Sequence, residues 1–127
     1  MKTVLILAGP GETLPDTLRR RLAQEAWAAG AAVTCFQSVT EGELIDRLQA
    51  AMGQVCGVAL CAGELAYTSV ALRDAVAGAG LTVVEIDSAP RTGETRPSCL
   101  SAVCKGRIAG LGWQSLVLAL RYLVADD

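Results

Sequence analysis

The chain contains no histidine. That excludes Ser-His-Asp and Cys-His nucleophilic arrangements outright, and it removes the side chain that most easily changes charge near neutral pH. It also removes the commonest partner of cysteine in zinc sites. The five cysteines (Cys35, Cys56, Cys61, Cys99, Cys104) form no CxxC pair, so no metal or other cofactor is expected. Their odd number and their place in apolar runs read as reduced core thiols. Aromatic residues make up 4%. No apolar run is long enough to cross a bilayer, and a net charge of −2 gives no electrostatic case for nucleic acid. The one basic cluster, Arg19-Arg20-Arg21, lies in a helical pattern and reads as a solvated face. The opening MKTVLILAGP is short, and Gly-Pro-Gly-Glu follows it rather than a cleavage site of small residues. It therefore reads as a first strand, and the protein as cytoplasmic with no membrane contact.

What is present is apolar substance: 52% hydrophobic residues against 19% charged, over 127 residues. That is enough for one domain with a core. Five branched runs recur: TVLILA (3–8), AAVTCFQ (31–37), VCGVALCA (55–62), LTVVEI (81–86) and GRIAGLG (106–112). They are near-continuous rather than alternating, as in strands buried on both faces of a parallel sheet. Helical patterns separate them. The first covers about 15–29, with Leu18, Leu22 and Ala26 on one face and Gly30 at its exit. The second starts at Thr40, with Glu43 completing a Thr-x-x-Glu capping box. Leu44, Leu48 and Met52 line its core face, and Glu43 and Arg47 are spaced for an i,i+4 pair. The third begins near Thr68 and stops by 78–80, and the last covers about 113–124. Strand and helix alternate throughout, apart from the irregular segment 87–97, which predicts a doubly wound α/β sheet.

Ligands of such sheets bind beyond the carboxyl ends of the strands, where this chain places GPGE (9–12), QSV (37–39), 61–67 and 87–96. Gly9-Pro10-Gly11-Glu12 lacks the spacing of a phosphate loop and reads as a tight turn. Gly110-Leu-Gly112 comes too late in the chain for a dinucleotide fingerprint. Cys61 ends a strand beside a helix start, where it is either an activated nucleophile or an inert small side chain. Glu64, Glu85 and Asp87 share the rim. They are either acid–base groups tuned by crowding or residues that cap helices or pair with Arg91 or Arg96.

Over nearly its full length the chain resembles the type II 3-dehydroquinases. FQSVTEGELID (36–46) is close to FQSNHEGELID. TSVALRDA (68–75) matches the family outright, and VVEI (83–86) matches the strand before the family's substrate loop. SCLSAVCKGRIAGLG (98–112) follows SYLSPVARGVIAGLG, and LALRYL (118–123) fits the closing helix. The resemblance implies a flavodoxin-like sandwich with a five-stranded parallel sheet in the order 2-1-3-4-5. It also implies a homo-oligomer, a dodecamer built from trimers, acting on a small molecule. It carries over Gly9, Pro10, Gly63, Glu85, Ser88 and Arg91 as substrate-binding positions, together with Asp74, which in the family reaches a neighbour's site.

The departures fall in the site. The family's lid, with its Arg and its Tyr base, has no counterpart in GETLPD (11–16). NPGAYTHTS reads CAGELAYTS (61–69), so the family's Asn is Cys61 and its His is Tyr67. Glu-Val-His reads Glu85-Ile86-Asp87, so the His that acts as general acid is Asp87. A further substrate-binding Arg is Thr95. The family reaction removes a proton next to a ketone, forms an enolate and expels a hydroxyl. Loss of base and acid together removes several orders of magnitude, each being worth roughly 10²–10⁴. Three readings follow. One is a repurposed lyase, isomerase or cyclase acting through an enolate on an oxygenated or polyketone small molecule, as in natural-product assembly, with Glu64, Tyr67 and Asp87 as its acid–base groups and Thr68 and Ser69 capping the following helix. Another is a non-catalytic relative kept for assembly or ligand binding. The third is a 3-dehydroquinate dehydratase with weak residual activity.

Overall fold

The apolar run at the amino terminus forms an interior strand of the sheet, because it can bury side chains on both faces. The computed structural model describes residues 1–88 and 97–125. Within them the order is β1 (Lys2–Ala8), α1 (Asp16–Ala28), β2 (Ala31–Gln37), α2 (Glu41–Ala50), β3 (Gly57–Cys61), α3 (Leu65–Thr68), α4 (Val70–Gly78), β4 (Val83–Asp87), β5 (Gly106–Ala109) and α5 (Gln114–Val124). All strand pairs are parallel, and the sheet order is β2-β1-β3-β4-β5. The chain reverses direction across the sheet between β1 and β3, which is where a doubly wound sheet opens a crevice.

Successive residues of β1 serve opposite layers. Val4, Ile6 and Ala8 join the core under α1 and α5, whereas Leu5 and Leu7 join the core under α2 and α4. All five are buried, as is every residue of β3. Full burial of each such aliphatic side chain stabilises by about 1.5–3 kcal/mol. The edge strands differ from expectation. β2 and the four-residue β5 keep half-exposed positions, because only one neighbour and part of a layer cover them. The third strand, predicted over 55–62, and the fourth, predicted over 81–86, are shorter and shifted by one or two residues. At the exit of α1, Gly30 takes φ +72° as the spacing predicts.

Three local expectations are corrected. Thr40 stands at the amino end of α2 but makes no side-chain cap; Glu43 instead receives the Ser38 hydroxyl at 3.1 Å. Arg47 does not pair with Glu43; its guanidinium lies over the Phe36 ring, 5.6 Å from the centroid. Met52 falls beyond the last turn and is exposed. The third predicted helix, from near Thr68, is α4, and a separate single turn, α3, precedes it. Thr68 ends the single turn α3, and buried Ser69, in extended conformation, starts α4 by accepting the Leu72 amide at 2.9 Å. A cap must leave helical φ/ψ to do this, so the break and the cap have one cause. Among the described residues no helix is long and apolar enough to cross a membrane.

Candidate functional site

The site grows from two loops that pass unusually close at the β1/β3 crevice. The Gly9 amide donates to the Cys61 carbonyl at 2.8 Å, and a Cβ at Gly9 would stand 2.6 Å from the Ala62 carbonyl oxygen. Gly63 has φ +61°, and a Cβ there would collide with the Pro10 carbonyl. Only glycine meets both demands, close approach and left-handed backbone. The turn made by Pro10 and Gly11 then brings Glu12 over the end of β3.

Glu12 is half-buried, and the Ser88 hydroxyl, donated from the end of β4, lies 2.9 Å from each of its carboxylate oxygens. Burial raises its pKa above the ordinary carboxylate range. The Ser88 hydrogen bond opposes that rise, and the nearby Asp87 charge adds to it.

The facing wall comes from β4 and β5. Glu85 is paired in register with Arg107, so both side chains leave the same face of the sheet. Glu85 is buried and accepts the hydroxyls of Ser98 and of Ser101, the latter at 2.7 Å; Arg107 Nε is 3.6 Å away. Arg107 Nη2 donates to Asp87 Oδ2 at 2.7 Å. Arg107 Nη1 has no hydrogen-bond partner among the described residues.

Between the walls is a cleft of about 220 Å³. It brings together Pro10, Gly63, Glu64, Tyr67, Glu85 and Asp87, all singled out from sequence, and adds Glu12 and Arg107, which were not. The remaining expected positions lie elsewhere. Gly9 is underneath, against Ala62. Ser88 meets the cleft through Glu12. Asp74 is exposed on α4 and paired with Arg73 at 3.1 Å. Arg91, like Arg96 and Thr95, falls outside the described residues. Cys61 has no exposed surface and packs in the core under α1 and α5. Burial foremost, and then the Glu12 charge, push its thiol pKa far up, which suits the inert reading rather than a nucleophile. The amino end of α4 is also closed. Ser69 caps it and donates its own hydroxyl to Glu41 at 2.5 Å, away from the cleft. Among the described residues no three histidines, cysteines or carboxylates converge to hold a metal ion.

Sequence signals for the two additions existed. Glu12 directly follows a Gly-Pro-Gly turn at the end of the first strand. Arg107 stands where the otherwise matching segment SYLSPVARGVIAGLG has valine.

Comparison with known proteins places this cleft in a familiar scaffold. The family model described as dehydroquinase class II matches residues 8–124. A 3-dehydroquinate dehydratase of Bacillus pumilus is 44% identical over 118 residues, covering 91% of this chain and 80% of that protein. One of Bacillus licheniformis is 37% identical over 140 residues, covering 98% and 97%. The crystal structure of a type II dehydroquinase from Propionibacterium acnes superposes with a TM-score of 0.89 over 99% of this chain and all of the other, at 24% identity. That last likeness establishes the fold.

Proposed function

This chain belongs to the class II dehydroquinase family, and we propose that within it the chain is a lyase- or isomerase-type enzyme with a replaced acid–base set. Its reaction class is enolate chemistry on an oxygenated or polyketone small molecule, of the kind met in natural-product assembly. The observation that carries this reading is Glu12: a half-buried carboxyl of raised pKa at the mouth of the cleft, fixed by Ser88. A carboxyl tuned upward is a stronger base at neutral pH than an ordinary one, and a held one needs no reorganisation to act.

In this reading the Glu12 carboxylate takes the proton from the carbon next to the ketone. The C–H electron pair becomes the enolate double bond, and negative charge collects on the ketone oxygen. When the enolate collapses, a β-oxygen substituent leaves with the C–O pair, and the Tyr67 phenol, which lines the same cleft, supplies its proton. Glu12 returns its proton to solvent, and Tyr67 regains one. Glu64 contributes a further acid–base group at the mouth. Asp87 completes the acid–base set, and its Oδ2, which accepts from Arg107 Nη2 at 2.7 Å, also orients that guanidinium.

A homo-oligomer goes with this reading, a dodecamer built from trimers as the resemblance implies, with Asp74 directed at a neighbour. Exposed Trp27, Val39, Val70 and Leu111 supply apolar surface for the contacts. The test of function is an ultraviolet assay for the conjugated dehydration product of 3-dehydroquinate. Ordinary turnover, on the order of 1–10³ per second, would contradict a replaced acid–base set.

A further inference from the structure

We propose a second ligand site, set between α2 and the edge strand β2, that takes a small carboxylic acid with an apolar body, its carboxylate held by Arg47. The site shares no residue with the cleft at the β1/β3 crevice, so nothing in it depends on that cleft's chemistry.

Arg47 is a partly buried cation without an anion. Its guanidinium lies over the Phe36 ring, 5.6 Å from the centroid, and its Nε is shielded from solvent with no hydrogen-bond partner. No described residue hydrogen-bonds or ion-pairs with any of its nitrogens. Glu43, one turn earlier on α2, takes the Ser38 hydroxyl instead. By contrast Arg73, Arg107 and Arg121 each meet a carboxylate, at 3.1, 2.7 and 2.9 Å. A ring face attracts the charge, but it does not replace the paired carboxylate oxygens that a guanidinium fork matches. A shielded donor left without an acceptor is a cost to the folded state.

Beside this guanidinium is a cavity of about 220 Å³, against the roughly 10–15 Å³ that admits one water. Leu5, Ala51 and Val55 supply its apolar lining, and Thr34, Gln54 and Arg47 its polar groups. Thr34 stands opposite Leu5 in the β1–β2 register, so both face the α2 side of the sheet. Because β2 is the edge strand, no further strand closes that side of the recess. Neither the Thr34 hydroxyl nor the Gln54 amide group hydrogen-bonds a described residue.

These groups select a ligand by chemistry. A guanidinium beside a hydroxyl and an amide suits a carboxylate, and the apolar lining gives a ring or branched alkyl body a place to leave water. An inorganic anion would leave that lining uncovered. A carboxylate side chain from another copy of the chain would bring too little apolar body to cover it. None of the exposed apolar residues assigned to assembly lines the recess.

Benzoate and its neutral counterpart benzamide are the probes, titrated into the full-length protein by saturation-transfer NMR. Benzoate should bind at millimolar concentration or tighter, and benzamide about tenfold or more weaker, the loss expected when a charge-assisted pair is removed. Arg47→Met should bring the two affinities together, and Arg107→Met, in the cleft, should leave their ratio unchanged. Crystals soaked in para-bromobenzoate should carry an anomalous bromine peak between Arg47 and Leu5. That readout needs no variant, so a substitution that fails to fold cannot mimic or hide the result. Equal binding of the two probes, a ratio unmoved by Arg47→Met, a ratio that moves with Arg107→Met instead, or bromine at the cleft alone overturns the proposal. So does an adventitious additive only, bound in crystals and not in solution.

Discussion

The Ser88 hydroxyl bridges both carboxylate oxygens of Glu12 at 2.9 Å, across 76 residues of chain. It ties the end of β4 to the loop after β1 and so fixes a carboxyl over the crevice of the sheet. Because burial holds the Glu12 pKa above the ordinary value, the pH profile follows. A base must be deprotonated, so kcat/KM should rise with pH through a limb above the normal carboxylate range. In Glu12→Gln that limb should vanish and the rate should fall by about 10²–10⁴.

Stability should respond in the opposite sense. The folded state holds the Glu12 proton to higher pH than the unfolded chain does. Its contribution is therefore fully present below the unfolded pKa and is lost as pH rises through the folded one. Glu12→Gln should flatten the melting temperature over that window, as differential scanning fluorimetry across pH would show.

Gly63→Ala should destabilise by more than about 1 kcal/mol, since alanine is strained at φ +61° and its Cβ would strike Pro10. Denaturant unfolding measures this. A neutral effect would mean that the two loops part easily, and that the placement of Glu12 is not enforced.

Ser69→Ala removes the cap of α4 and leaves Glu41 without the hydroxyl it accepts. A loss of about 0.5–2 kcal/mol is expected, the range for N-cap truncation. Activity should change little, because neither group borders the cleft.

Light scattering at micromolar concentration should show a closed homo-oligomer, in keeping with a mean hydropathy of +0.41 and exposed Trp27 and Val70. A stable monomer would remove the assembly from the account.

Most of the frame was legible because burial on both faces writes itself as continuous runs; VLIL and GVAL mark the two central strands directly. Boundaries were less so. Ser69 caps α4 as its place before the apolar pattern suggests, but the single turn α3 ahead of it left no periodic signal. Thr40 and Glu43 fit a capping box by spacing, yet Ser38 takes the carboxylate by proximity. In the site, Glu64 and Asp87 drew notice from their places at the rim and Tyr67 from its match to a family histidine, and the cleft is lined by all three. Glu12 was not, because its burial depends on Gly9 and Gly63 drawing two distant loops together. Arg107 was not, because its meaning comes from parallel register with Glu85, a pairing that no local pattern displays.

The central claim is that Glu12 abstracts a proton next to a ketone bound in this cleft. The most direct measurement is deuterium incorporation at that carbon of 3-dehydroquinate methyl ester in heavy water, followed by proton NMR. Wild type should accelerate exchange above buffer, and Glu12→Gln should slow it at least about a hundredfold while still binding the ester. Equal exchange by both proteins, or none above buffer with wild type, would contradict the account.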